Sequence, residues 1–465
     1  MRSPLRMIFV CAVIAIVAIA LPASLPTVQT GAWTPVWNLA EARAGAAAVL
    51  LPNGSVLVVG GLVDGQPTNS AEIFNPDGTF TSASAMSVPR AGHSAILLVT
   101  GEVLVTGGTT SGGGVTNSSE LYDVLSQRWS SAPPMKEART GHTAVQMLDG
   151  SALIIAGNNS HGPVSLVEQY SLVGEDFSSV GTLLHPRIDA AAASLGDGRV
   201  LVVGGAAVNA DDDSAPTNLA EVFDPGTGAS TSASPLAFAR SAGTATALLD
   251  GRIAVVGGND GTNDLASSEI YDPTSDSWST IAGISPRSHH LAVLLPRNHG
   301  VLIAGGAPGA ATEMLLPWAN DNAGAFAALS ASAGSHRNGF ALAISNEGLL
   351  LAAGGDAGTA AEIYRFATLK TDKDDYAPGQ TVTVTGTGWQ PGEQVTLTLT
   401  EVPAIDSHPP ITVTADAWGN ISDSSFTPDE HDFQVRFFVV ATGSQSQAQT
   451  SFTDGNVTLA VSGVG

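Results

Sequence analysis

Few residues in this 465-residue chain have types and spacings suited to chemistry. His93, His142 and His290 each stand three positions after an arginine (Arg90, Arg139, Arg287), and His161 lies in a short polar stretch between them. Imidazoles in a cluster could transfer protons or hold a ligand. Asp211, Asp212 and Asp213 are consecutive, and Asn259, Asp260, Asn263 and Asp264 form a second acidic stretch. Hard oxygen ligands in a loop could hold Ca²⁺, but neither segment reproduces a twelve-residue calcium loop, and a solvated acidic loop is the plainer expectation. No phosphate-cradling glycine loop, nucleophile elbow or His-Glu-x-x-His pair occurs. Spacing therefore assigns no catalytic residue, and calcium at Asp211–Asp213 is the sole cofactor suggested.

What must position these side chains is a repeat. SVLVVGG (55–61), EVLVTGG (102–108), ALIIAGN (152–158), RVLVVGG (199–205), IAVVGG (253–258), VLIAGG (301–306) and LLLAAGG (349–355) are one element. Their first turn positions are separated by 47, 49, 48, 53, 48 and 49 residues. An arginine precedes each copy: Arg43, Arg90, Arg139, Arg187, Arg240, Arg287 and Arg337. A glycine opens the next strand 11 residues later in six units; in the sixth, Gly300 comes 13 later. A glutamate follows each copy: Glu72, Glu120, Glu168, Glu221, Glu269, Glu313 and Glu362. An aromatic usually stands two positions on, and a last aromatic closes most units.

These residues resemble the kelch family over roughly 31–365. The resemblance implies an all-β, seven-bladed propeller, with one four-stranded blade per unit. The short β-rich runs punctuated by Gly, Asn-Gly and Asp-Pro independently suit an antiparallel meander. The last unit lacks a fourth strand, and Trp33 precedes Arg43 by the same ten residues that separate Trp129 from Arg139. An N-terminal strand is thus expected to close the ring and remove its free edges. A charged pair repeated once per blade reads as scaffold, so the Arg and Glu rows are expected to be buried structural pairs. By analogy with kelch propellers, His93, His142 and His290 fall at the channel rim on the ligand-binding face, with His161 on a neighbouring loop. Ala46, Ala190, Gly243 and Phe340 take the histidine's place in the other blades. Cross-blade hydrogen bonding is the plain expectation for these histidines. The functional alternative makes His93, His142, His161, His290 and Phe340 an asymmetric ligand-binding rim.

From about Ala367 the repeats stop and strict alternation begins in TVTVTGT (381–387), VTLTLTEV (395–402), ITVTA (411–415) and FQVRFFVVAT (433–442). Alternation punctuated by turns predicts a small β-sandwich. Tyr376–Pro378–Gly379, Thr387–Gly388–Trp389 and Pro391–Gly392 resemble bacterial immunoglobulin-like modules of surface proteins. The expected organisation is a signal peptide over 1–30, a propeller over 31–366, the Ig-like sandwich over 367–455, and a further strand or module beginning at 456–465. The join at 365–372 contains no Gly or Pro, so little freedom is expected there.

Arg2 and Arg6, followed by an apolar run from Met7 to Leu21, read as an export signal too short for a membrane span. Export places the mature protein outside the cell or on its surface. The single cysteine, Cys11, lies inside that run. The mature chain then lacks the thiol that copper-radical oxidases resembling galactose oxidase cross-link to tyrosine. Sialidase-type Ser-x-Asp-x-Gly-x-Thr-Trp turns are absent as well. With 18 Lys+Arg against 42 Asp+Glu, the net charge of −24 argues against nucleic acid or an anionic membrane as partner. The leading expectation is a monomeric, secreted or cell-surface binding protein presenting a propeller face to a glycan or an extracellular protein. The alternative is a carbohydrate-active enzyme without a redox cofactor, of epimerase, mutarotase or glycan-processing type, working at the channel mouth.

Overall fold

The structure, a computed structural model, describes residues 32–208, 214–307, 311–319, 323–329, 339–344, 349–429, 435–444 and 446–454. The N-terminal apolar segment, Asp211–Asp213, Arg337 and the 456–465 tail lie outside the described residues.

Each repeat unit folds locally into an antiparallel meander. In the first, Ala47–Leu50, Val56–Val59, Ala71–Phe74 and Phe80–Ser82 pair in sequence order. The turn into the second strand needs a left-handed residue, and Gly54 supplies it at φ 83° while donating its N–H to the Leu51 carbonyl. Gly101, Gly150, Gly198 and Gly251 repeat that conformation. The second strands are apolar on both faces (Val56–Val59, Ile253–Val256) and wholly buried, because each is covered on two sides. The fourth strands are polar and mostly exposed.

Seven such four-stranded sheets occur among the described residues. Six are formed by consecutive strands. The seventh joins Phe340–Ile344, Leu349–Gly354 and Ala361–Arg365 to Trp33–Pro35 from the start of the described chain, with Trp33 opposite Tyr364. Trp129 faces Tyr122 in the same way in the second sheet. The N-terminal strand thus does what the Trp33 spacing predicts.

Apolar clusters fill the gaps between neighbouring sheets. Val58, Ala341 and Leu351 bridge the seventh sheet to the first, and Leu302 and Leu350 bridge the sixth to the seventh. The ring is also stitched by backbone bonds. The second glycine of one unit donates its N–H to the carbonyl of the next unit's arginine: Gly61 to Arg90, Gly108 to Arg139, Gly205 to Arg240, Gly258 to Arg287 and Gly355 to Arg43.

Beyond the ring, Thr368–Thr371, Val384–Thr387 and Ile421–Asp423 form a three-stranded sheet. Asp375–Tyr376, Gln394–Val402, Ile411–Thr414, Arg436–Thr442 and Gln447–Asp454 form a five-stranded one. One core containing Trp389, Val395, Phe437 and Phe452 lies between them. This part is fastened to the turn before the sixth sheet's second strand. Asn298, fully buried, donates through Nδ2 to the Ala367 and Gln447 carbonyls at 2.6 Å each. Its carbonyl accepts from Gln449 N–H, and that of Arg297 accepts from Leu369 N–H. Among the described residues no helix is long and apolar enough to cross a membrane.

Candidate functional site

The repeated charges are consumed by the scaffold. Arg43–Glu72, Arg90–Glu120, Arg139–Glu168, Arg187–Glu221 and Arg240–Glu269 pair at 2.9, 2.9, 2.8, 2.5 and 2.7 Å, all buried. Arg287 pairs with Glu313 in the sixth unit. Each guanidinium also donates to the carbonyl at the first turn position, such as Gly60 or Gly107. Each glutamate accepts backbone N–H groups from the chain entering its unit, such as Ala40 and Ser87. Every charge of these six described pairs therefore has fixed partners on both sides, the condition under which a buried ion pair is tolerated. Burial pulls the Arg90, Arg139, Arg187, Arg240 and Arg287 guanidinium pKa values down, and the paired carboxylates push them back up.

The repeat histidines are wedged inside the ring. A Cβ on Gly60 would stand 2.5 Å from the His93 ring, one on Gly107 2.8 Å from His142, and one on Gly257 2.9 Å from His290. Each ring thus lies against the first glycine of the preceding unit. His142 Nε2 meets Thr106 Oγ1 and His290 Nε2 meets Thr244 Oγ1, both at 2.9 Å across neighbouring sheets. Burial, and then the adjacent arginine, pull all three imidazoles down to about 3. They are neutral at ordinary pH. Phe340 is buried in the cluster joining the sixth and seventh sheets. His161 is exposed at the tip of the hairpin Asn158–Pro163. The structure brings the first three histidines to equivalent places and leaves His161 on the surface above.

Sequence reasoning missed another position. The residue two after each arginine is left-handed in all seven units: Gly45, Gly92, Gly141, Asp189, Ala242, His289 and Gly339, with φ from 51° to 71°. Backbone bonds link several of them around the ring's inner edge: Gly141 to Gly92, Ala242 to Asp189, His289 to Ala242 and Gly45 to Gly339. Three adjacent units thus hold non-glycine residues where the backbone favours glycine. Asp189 and His289 are exposed there. The signal that could have found them is the break from glycine two places after Arg187, Arg240 and Arg287.

The loops after the second strand rise on the same side. Leu62–Pro67 and Asn158–Pro163 form hairpins, Ala206–Val208 pairs with Ser214–Pro216, and bridges close 109–115 and 259–264. In the last of these, Asn259 Nδ2 donates to Asp264, while Asp260 accepts the N–H groups of Thr262 and Asn263. Those oxygens are engaged within their own loop. Among the described residues no three His, Cys, Asp or Glu side chains assemble into a metal-binding set. Between the loops 62–67 and 109–115 lies a cleft of about 420 Å³, also lined by Ala91, Gly92 and Thr140.

The family model described as Kelch motif matches residues 43–87, 90–136 and 240–283, three of the units above. No curated protein matches the chain. Among solved structures, a fungal alcohol oxidase of the AA5 family in complex with copper is similar at 14% identity and a TM-score of 0.59, over 92% of this chain and all of its own. YjhT is similar at 16% identity and a TM-score of 0.48, over 62% of this chain and 99% of its own. At such identity the oxidase's likeness extends to fold alone. The chain carries kelch repeats on an all-β scaffold of the β-propeller type.

Proposed function

We propose that this chain is a secreted or cell-surface binding protein, exported through residues 1–30. It is a seven-bladed propeller over 31–366 followed by an immunoglobulin-like sandwich over 367–455, and it presents the loop-bearing face to a glycan or an extracellular protein. One observation carries this reading. The scaffold's repeated charges are spent on one another, while loops of differing sequence rise from consecutive sheets on a single side. A uniform rigid frame with variation confined to one rim is an arrangement for recognition, because rigid scaffolds leave specificity to their loops. The seven matching sheets support the blade number, and the two sheets around Trp389 support the sandwich.

The test is a glycan array probed with the purified protein, with and without millimolar calcium, alongside a pull-down from the native surface. Saturable binding that disappears when 62–67 and 109–115 are replaced by short glycine turns is the expected result. Binding that survives those replacements, or turnover of an arrayed sugar, would sink the reading. Calcium dependence would bring Asp211–Asp213 into the site.

A further inference from the structure

The pole of the ring opposite the loops carries exposed aliphatic side chains at the tips of its turns. In an antiparallel meander the turns after the first and third strands share one end. In the second and third units those turns present Val99, Leu125, Leu148 and Val173, exposed to 67, 97, 78 and 100%. Leu125 and Val173 stand where the first, fourth and fifth units place Asp77, Gly226 and Thr274. Val99 and Leu148 correspond in the same way to Pro52, Gly196 and Leu249. Among these five units, only the second and third are apolar and exposed at both turns.

These side chains form one surface. A Cβ on Gly150 would stand 2.7 Å from Val99 and 3.2 Å from Leu172, so Val99 lies across the boundary between the two units. Leu172 in turn packs on the core between their sheets. The inner and outer turns of one unit lie two strand spacings apart, about 10 Å. A single exposed aliphatic needs no explanation, whereas a contiguous set marks an interaction surface. Carboxylates surround it. Glu102, Asp123, Asp149, Glu175 and Asp176 lie on or beside the same four turns. Burial, and then the charges of Glu175, Glu102 and Asp176, push the Tyr170 hydroxyl up, as expected if those three crowd one place. The sole basic residue of these turns, Arg128, stands opposite Asp123.

We propose that this pole docks a basic amphipathic helix of a partner protein. Its apolar stripe would cover Val99, Leu125, Leu148 and Val173, with its lysines or arginines among the surrounding carboxylates. Apolar side chains two helical turns apart are separated by about 11 Å, which matches the gap between inner and outer turns. A second copy of this chain would bring the same carboxylates, and an anionic membrane would meet like charge. A neutral apolar partner would strip water from the carboxylates without replacing it. The C-terminal sandwich occupies the corresponding Asn298 turn of the sixth unit and leaves this part exposed. The surface faces away from the loops, so it is independent of whatever the loop face binds.

The experiment is calorimetric titration of the purified protein with a synthetic leucine–lysine amphipathic helix. Two comparison peptides keep its length. One replaces lysine by glutamate, and the other scrambles the order so that no apolar stripe forms. We expect saturable binding of the first that weakens with salt, and about tenfold weaker binding of both others. Leu125→Ser combined with Val173→Ser should weaken binding about tenfold, and Glu102→Gln with Glu175→Gln several-fold. Leu249→Ser, an exposed aliphatic outside the surface, should leave it unchanged. Thermal midpoints matching the parent protein show that the variants are folded. Equal binding of either comparison peptide, unchanged binding in the Leu125/Val173 variant, or no saturable binding at millimolar peptide would each overturn the proposal. Sedimentation of the protein alone and flotation with phosphatidylcholine vesicles test the other occupants. Self-association or vesicle binding that the Leu125/Val173 variant abolishes would overturn it in favour of a second copy or a lipid surface.

Discussion

Gly355 donates its backbone N–H to the carbonyl of Arg43 at 2.8 Å, joining the last repeat unit to the first. The same bond links Gly61 to Arg90 and Gly108 to Arg139, so the seam of the ring is built like its other junctions. At the seam, one strand of the sheet comes from the far end of the chain.

That strand carries a testable load. Trp33 is buried, its ring centroid lies 5.3 Å from that of Tyr364, and its Nε1 donates to Thr312 Oγ1 at 2.9 Å. Replacing it with alanine should cost about 3–5 kcal/mol, as for other buried large aromatics. A urea midpoint unchanged by Trp33→Ala would show that the ring closes without it.

The buried pairs should respond asymmetrically. Arg139→Met leaves the fully buried Glu168 without its cation, at a cost of about 3–5 kcal/mol. Adding Glu168→Leu should recover part of that loss, although Lys136 and Glu137 N–H then lose an acceptor. A double variant as unstable as the sum of both single changes would contradict the pair's role as a unit.

One unit breaks the glycine rule, and its neighbour compensates. Ala156 takes the first turn position at φ 59°, and the next unit has Ala190 where three other units place histidine. Both belong to one core cluster. Ala190→His should therefore overpack the junction by about 1–3 kcal/mol. Ala156→Gly in the same chain should restore most of the stability, because glycine accommodates the ring at Gly60, Gly107 and Gly257. Thermal melts of the single and double variants decide it; no rescue by Ala156→Gly would refute the pairing.

The buried histidines predict an acid-sensitive fold. His93, His142 and His290 are held at about 3 and His299 at about 4, so all are neutral when folded and protonate near 6.5 when unfolded. Their contribution is complete above pH 6.5 and is lost as pH falls towards those depressed values. Unfolding free energy should be flat from pH 8 to 7 and decline between 6 and 5, before the carboxylates titrate. Removing one ring, as in His290→Gln, should reduce that slope by about 1.4 kcal/mol per pH unit. An unaltered slope would mean the ring is already charged in the fold.

Much of this could be read from the residues alone, because a repeat displays its geometry as spacing. The arginine, glutamate and aromatic rows gave the pairs Arg139–Glu168 and Tyr170–Phe177, and the Trp33 interval gave the closing strand. Even Glu313, in the most degraded unit, keeps its arginine. What spacing does not show is which atoms face each other between units. Cross-blade hydrogen bonding was the plain expectation for the histidines; that their rings also press on glycines one sheet away is a contact carried by backbone conformation. The left-handed positions of Asp189, Ala242 and His289 were hidden likewise. The late glycine of the sixth unit was visible as an irregularity. Its meaning, two additional residues that let Asn298 reach Ala367 and Gln447, came only with the fold.

That fastening fixes a direction. In an antiparallel meander, turns after the first and second strands emerge at opposite ends of the sheet. The Asn298 turn follows a first strand, whereas the cleft's loops follow second strands. The C-terminal part and the cleft therefore lie at opposite ends of the sheets, like the stalk and the open face of a dish. The four short bonds at Arg297 and Asn298 act as the rivet that keeps the dish from tipping.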